Sequence, residues 1–393
     1  MLVAGAGVAA LEAALALHAL AEERVAVEFV APETEFSYRP LAVAEPFRVG
    51  EVRRFPLLAL ARAAGAELRQ GSFLRVDAER KVVVTEKGEE LDYDVLLLAL
   101  GARPLEAVPG ALTFRGPEDG PAVSSLLEEA RTGRVHKLVF AMPGEATWPL
   151  PLYELALLTG IHLATAGVDG VSLEIVTPET RPLELFGPAA SEAIGELLEI
   201  RSIAVRLGST PVAFENGQLR LASDARVEAE RVIALPRLEG PRPEGVPHDD
   251  DGFVPTDEHG CVEGVDDVWA AGDLTSSPFK QGGVATQQAD AAAESIAARA
   301  GAPIEPTPFR PVLRGLLLTG LTPRYLRAES EGKLSTADTE SLWWPPAKIV
   351  GRHLAPFLAS HMGLSVTPPR MEEGKAVEVE VELKRGQGTW SRL

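Results

Sequence analysis

Six residues near the start of the chain, Gly5-Ala6-Gly7-Val8-Ala9-Ala10, have the spacing of a turn that receives a dinucleotide pyrophosphate. The first glycine permits a tight turn, the second lets the bare backbone approach the phosphates, and a small third residue, here Ala10, allows the following helix to pack closely. The phosphates then sit at the positive end of that helix. The acid that usually holds the ribose after the second strand is missing as such: Ala31-Pro32 stand there, and Glu33 or Glu35 is the substitute on offer. Thiol chemistry is tightly bounded. Cys261 is the one cysteine, so the chain makes neither an internal disulfide nor an all-cysteine metal site. The histidines show no metal-ligand spacing, and no metal is expected.

These residues need elements to hold them. Residues 2–30 read as strand, glycine turn, alanine-rich helix to about Leu20, and strand from Val25, which is a βαβ unit. A helix-like segment over 54–64 leads to short β-type runs at 66–69 and 81–85, then to residues 93–99, whose apolar run suits a strand buried on both faces. A second βαβ-like pattern begins at 137–141, continues through a helix over about 152–163 and returns at 171–176. The Pro- and Gly-rich stretch 238–247 marks a crossing back, and Pro303 to Pro308 mark another boundary. The expected fold class is α/β, with two Rossmann-like dinucleotide-binding domains in three layers and a small C-terminal domain. The first domain is discontinuous, 1–106 with 247–300; the second spans 107–246; a C-terminal interface domain spans 301–365 and a tail 366–393. Within the tail, residues 376–383 alternate apolar and acidic, which fits an edge strand or a mobile tail.

At 393 residues and 46% hydrophobic content, the chain can bury a sizeable core. A formal net charge of -19 argues against nucleic acid as a partner, because phosphate binding needs clustered Lys and Arg. The chain opens directly on its first strand, and its uninterrupted apolar runs are shorter than a bilayer span, so a cytoplasmic protein is expected.

Three further segments carry a family resemblance. Leu97-Leu98-Ala99-Leu100-Gly101-Ala102-Arg103-Pro104 resembles the strand-to-loop signature ATGARP of two-dinucleotide flavoproteins, with Leu100 in place of threonine. Val268-Trp269-Ala270-Ala271-Gly272-Asp273 resembles their late ATGD motif. Lys280-Gln281-Gly282-Gly283-Val284-Ala285 then opens a helix whose first N–H groups would face the flavin pyrimidine edge. Over roughly residues 1–300 the chain thus resembles the pyridine nucleotide-disulfide oxidoreductase superfamily. Phe36-Ser37-Tyr38-Arg39-Pro40-Leu41 resembles the aromatic-proline segment of type II NADH dehydrogenases and sulfide:quinone oxidoreductases, which narrows the branch. The resemblance implies FAD as cofactor, with Gly101, Arg103, Gly272, Asp273, Lys280, Gly282, Gly283 and Arg39 joining Gly5, Gly7, Ala10 and Glu33 around it. Asp273 would bind its ribityl and phosphate region.

The sequence also departs from that family. A redox disulfide, or the cysteine pair that carries sulfur in sulfide:quinone oxidoreductases, needs two thiols. After the strand at 137–141, where a pyridine-nucleotide site would show a second glycine turn, stands Met142-Pro143-Gly144-Glu145-Ala146-Thr147-Trp148-Pro149-Leu150-Pro151-Leu152-Tyr153-Glu154. Prolines remove backbone donors. The segment resembles the proline-rich stretch ending in Pro-Tyr-Glu of sulfide:quinone oxidoreductases and flavocytochrome c sulfide dehydrogenases, which implies a degenerate nicotinamide site. The resemblance to these enzymes and to type II NADH dehydrogenases implies that Glu154 is a catalytic carboxylate beside the flavin, able to relay protons. The resemblance of Gly283-Val284-Ala285-Thr286-Gln287-Gln288 to a type II NADH dehydrogenase helix implies that Gln287 and Gln288 line a quinone pocket.

The expected function is FAD-dependent electron transfer from a small-molecule donor to a quinone-like or other acceptor. Two alternatives stay open: an NAD(P)H dehydrogenase with a non-standard nicotinamide site, and a flavin-binding interaction module without turnover. The Trp343-Trp344 pair and the apolar-rich segment 349–362 are read as core packing or a homodimer interface, with peripheral contact at the inner face of the membrane as the other reading.

Overall fold

The computed structural model of the protein describes residues 1–144, 146, 148–329, 335–365 and 378–379. Its α-helices are α1 (Val8–Ala21), α2 (Leu57–Ala63), α3 (Gly120–Arg131), α4 (Leu150–Thr165), α5 (Gly187–Ile200), α6 (Gly282–Arg299) and α7 (Leu354–His361).

Five short parallel strands form the first sheet, in the order Val268–Ala270, Leu96–Leu98, Leu2–Ala4, Val27–Ala31, Ala66–Gln70. One edge strand therefore arrives from far downstream, and with it comes α6. Helices α1 and α6 share one core with the sheet: Ala10, Ala13 and Ala14 of α1 and Ala289, Ala292 and Ala293 of α6 pack with Val3, Phe29, Leu97 and Trp269. Alanine leaves little side chain between helix axes, so the two helices approach closely.

A second sheet of five parallel strands has the order Leu112–Thr113, Arg231–Ala234, Lys137–Ala141, Ser172–Val176, Ile203–Arg206. The structure is thus α/β with two Rossmann-type sheets. Each carries an antiparallel three-stranded meander, Phe73–Asp77 through Glu90–Asp92 in one case and Pro211–Glu215 through Arg226–Glu228 in the other. The two crossings between the sheets pair with each other, Arg103–Leu105 running antiparallel to Arg237–Glu239. A smaller antiparallel sheet follows, Val312–Leu317, Arg324–Glu329 and Ser335–Asp338.

Two element expectations need correction. The helix over 54–64 starts only at Leu57, because Arg53–Pro56 is a strand paired with Glu35–Tyr38. Pro56, with its fixed φ and no N–H, closes that strand and precedes the helix. The apolar run 93–99 supplies only three strand residues, Leu96–Leu98, because its neighbours Leu2–Ala4 and Val268–Ala270 are themselves three residues long.

At the C-terminal side, Trp343 is fully buried and packs edge-on against Tyr325 with ring centroids 5.1 Å apart. Leu354, Phe357 and Leu358 of α7 are buried as well, so these side chains pack into the protein. Among the described residues no helix is long and apolar enough to cross a membrane. Of the alternating run 376–383, residues Glu378–Val379 pair in parallel with Trp343–Trp344; the rest lies outside the described residues.

Candidate functional site

A cavity of about 1080 Å³ opens where the first sheet, the start of α4 and the C-terminal sheet meet. Its floor is the turn after Leu2–Ala4. Gly5 has φ +104, and a Cβ there would lie 2.4 Å from the Ala99 carbonyl oxygen, so only glycine makes this turn. Gly7 is the opposite case: a Cβ would meet nothing within 4 Å, which leaves bare backbone at the N-terminus of α1 facing open space. Ala10 lies one turn in, fully buried, and packs rather than lining the cavity. Gly101, at φ +70 with no neighbour to a Cβ within 4 Å, and Arg103 line another wall. Glu33 and Glu35 stand exposed at the rim, and Arg39 lines it while pairing with Glu118 at 3.2 Å.

Gly272 (φ +84) sits tightly between α1 and α6, a Cβ there being 3.2 Å from that of Ala9 and 3.6 Å from that of Ala285. Asp273 follows it on the cavity wall, half-buried. Burial pushes its carboxyl above the usual range, and the Lys280 ammonium pulls it back. Lys280 is itself buried, donates to the Thr275 carbonyl oxygen and lies 3.6 Å from the centroid of the Phe253 ring. Burial pushes that ammonium down to about 8.

The start of α6 differs from expectation at three residues. Gly282 lines the cavity, but the N–H of Gly283 donates to Gln281 Oε1 at 2.7 Å, so Gly283 is turned into the helix cap. Gln287 and Gln288 are not cavity residues. Gln287 accepts from the Val312 N–H at 2.9 Å and donates to the Val312 carbonyl at 3.0 Å, tying α6 to the C-terminal sheet. Gln288 accepts from the Gly272 N–H at 2.8 Å and donates to Thr275 Oγ1 at 2.9 Å, which fixes the turn that carries Asp273. Both amides thus serve to join elements of the fold.

The far end of the cavity is lined by Trp148, Leu150, Pro151 and Glu154 of the second unit together with Arg314, Lys348 and Ile349. Glu154 is fully buried and takes both oxygens to Lys348 Nζ at 2.7 Å, while its Oε1 accepts the Leu318 N–H at 2.8 Å. Burial pushes the Glu154 carboxyl up, and Lys348 opposes that shift. Lys348 carries no sequence signal: it lies in a loop nearly two hundred residues from its partner, and only the fold joins them. Next to Glu154, Tyr153 donates to Glu179 Oε2 at 2.5 Å, and Thr177 Oγ1 donates to the same oxygen at 3.0 Å. Glu179 follows the strand Ser172–Val176, where a nucleotide fold places its ribose-binding acid. Cys261 lies elsewhere, half-buried with its Sγ 4.0 Å from Ser295 Oγ; burial, with Asp257 nearby, pushes its thiol up.

A glycine turn under a helix N-terminus, a wall aspartate and a cavity spanning two parallel-sheet units define a two-nucleotide-fold flavoprotein architecture. The family model for pyridine nucleotide-disulphide oxidoreductases matches residues 1–136 and 156–293, and the chain belongs to that family. The unmatched interval, 137–155, holds the proline-rich turn and Glu154. Among solved structures, the chain is similar to the sulfide:quinone oxidoreductase of the hyperthermophilic bacterium Aquifex aeolicus, with TM-score 0.76 and 16% identity over 86% of each chain. It is similar to putidaredoxin reductase in its covalent complex with putidaredoxin, with TM-score 0.62 and 19% identity over 84% of this chain and 81% of that one. The NDH2 of Plasmodium falciparum in complex with NADH gives TM-score 0.57 and 14% identity over 70% and 64%. No curated protein matches in a sequence search. The family is one of FAD-binding oxidoreductases, and FAD is the cofactor of this one. The residues fit it: Gly7 and Gly101 leave room for close backbone approach, and Asp273 offers a carboxylate to hydroxyl groups.

Proposed function

We propose that the chain oxidises a small donor other than NAD(P)H, with electrons passing through FAD to a quinone-like or other small acceptor. Bound FAD would supply the two-electron carrier; the protein supplies binding, charge and protons. The Gly5–Ala9 turn and Gly282 would present N–H groups to the cofactor, and Asp273 would accept from its hydroxyls. The observation that carries the reading is the Glu154–Lys348 pair, buried at the cavity end beside Trp148. A carboxyl whose proton affinity is raised by burial can take up or release a proton at the cavity wall, while Lys348 balances its charge.

Two features support a donor that is not a nucleotide. Pro149 and Pro151 lie at the first turn of α4, where a pyrophosphate needs free N–H groups. Glu179 is already occupied by the Tyr153 hydroxyl. A sulfide donor handled through a cysteine pair is disfavoured too, because Cys261 stands alone and outside the cavity. Anaerobic titration of the purified protein with NADH, NADPH, sulfide and a quinol tests the reading. The expected result is heat-releasable FAD and no bleaching by NADH or sulfide. Saturable bleaching by NADH would replace this reading with an NAD(P)H dehydrogenase.

A further inference from the structure

The helices that open the two nucleotide-fold units carry a glutamate at the same place. Glu12 is four residues after Val8, the first residue of α1, and Glu154 is four residues after Leu150, the first of α4. Both are fully buried, and both turn their carboxylates to the C-terminal part of the chain. Glu154 holds Lys348. Glu12 accepts the N–H of His353 at 2.9 Å and that of Leu354 at 2.6 Å. Residues 348–354 are therefore tied to α4 at one end and to α1 at the other.

Between these ties the same segment is held twice more. The Ile349 N–H donates to the Tyr38 hydroxyl at 3.0 Å, and Thr286 Oγ1 of α6 donates to the Val350 carbonyl at 2.7 Å. The packing leaves no slack. A Cβ on Gly351 would lie 2.7 Å from Glu12 Oε2, and one on Gly282 would lie 2.8 Å from Ile349 Cγ1. Lys348 and Ile349 line the cavity, whereas Glu12 does not. Burying a carboxylate in a helix of alanines and leucines is costly unless its lone pairs are used. Here both oxygens serve N–H groups at the start of α7 that have no partner within that helix.

We propose that Glu12 is a positioning residue: by seating the first turn of α7 on α1, it fixes residues 348–354 against the cavity and sets where Lys348 and Ile349 meet bound FAD. The inference rests on the reading that the cavity holds FAD. It gives the glycine-turn helix a second task besides facing phosphate, and it makes cofactor retention depend on a carboxylate that touches neither cofactor nor substrate.

The test uses the FAD-loaded protein and the variant Glu12→Gln, which keeps the side-chain volume but sets an amide NH₂ against a backbone N–H. Flavin release, read as the growth of free-flavin fluorescence on dilution, is expected to quicken roughly tenfold or more. The bound-flavin absorption bands shift, and amide hydrogen exchange rises at 348–354. Thr286→Val, which loosens the same segment from α6 and leaves α1 untouched, moves all three readouts the same way. A Glu12→Gln protein that melts earlier but keeps wild-type release, bands and exchange would show a purely structural glutamate and overturn the proposal. If Glu12→Gln does not fold, unchanged release from Thr286→Val overturns it instead. A wild-type protein that takes up no FAD sinks the underlying reading and is seen before either variant is made.

Discussion

Asp273 and Lys280 face one space with opposite charges, and burial pushes each toward its neutral form. A bound partner for Asp273 relieves that tension, because hydroxyl donors favour the ionised carboxylate. Asp273→Ala is therefore expected to weaken FAD binding by about 2 kcal/mol, the range of a hydrogen bond to a charged group. Fluorescence titration of the apoprotein with FAD measures it, and an unchanged affinity would place the cofactor's hydroxyls elsewhere. His353 offers a pH prediction at the same scale. Burial, with Arg352 adding to it, pushes its imidazole from 6.5 down to about 4. Between those values the unfolded chain binds the proton and the folded chain does not, so this residue's share of stability is lost as pH falls from about 6.5 toward 4. The loss is at most about 3 kcal/mol, and smaller to the extent that the half-buried ring meets solvent. The difference in urea midpoints between His353→Gln and wild type should change across that window. A pH-independent difference would refute the assignment.

Elements, rather than single residues, explain what the sequence made legible. Gly5 and Gly7 could be read from their spacing, because a tight turn and a bare-backbone approach favour glycine, whereas Gly272 came only with the resemblance of its segment to a flavoprotein motif. Asp273 came with Gly272 by adjacency. The contacts of Gln287 and Gln288 were not legible, because an amide on a helix looks alike whether it meets a ligand or, as here, the backbone of another element. Lys348 was invisible, since its chemistry exists only once the loop bearing it crosses over α4. That crossing can be tested as a bond between elements. Glu154→Gln leaves the Lys348 ammonium buried without its counter-charge and should cost about 3–5 kcal/mol. Glu154→Gln combined with Lys348→Met should cost clearly less than the sum of the two single changes, as contacting residues do in a double-mutant cycle. Strict additivity in thermal or urea unfolding would mean that the pair contributes no coupling and that α4 and the C-terminal loop are held by other contacts.

At the scale of the whole molecule, the cavity is where separate parts of the chain converge. The Gly5–Ala9 turn, the Leu100–Arg103 loop, Gly272–Asp273, Gly282 and Ile349 all border it. Several buried or half-buried charges also face it, Asp273, Lys280, Glu154 and Lys348 among them, in a chain of net charge -19. A cofactor that fills this space binds only the folded state and so stabilises it by mass action, by about 2.7 kcal/mol at a free concentration one hundred times its Kd. Removing FAD should therefore lower the melting temperature, and adding it back should restore Tm in a concentration-dependent way, without a plateau at one equivalent. Hydrogen exchange should place the loss unevenly. Amides of the glycine turn, of residues 272–283 and of 348–354 are expected to exchange faster in the apoprotein, while the core of the second sheet, from Lys137–Ala141 to Ser172–Val176, keeps its protection. That sheet packs Leu138, Phe140, Leu155, Leu173 and Ile175 into a large buried core, which also takes in Phe47, Val284 and Leu317. Uniform loss across both sheets would show instead that the two units unfold as one, and that the cofactor supports the molecule as a whole.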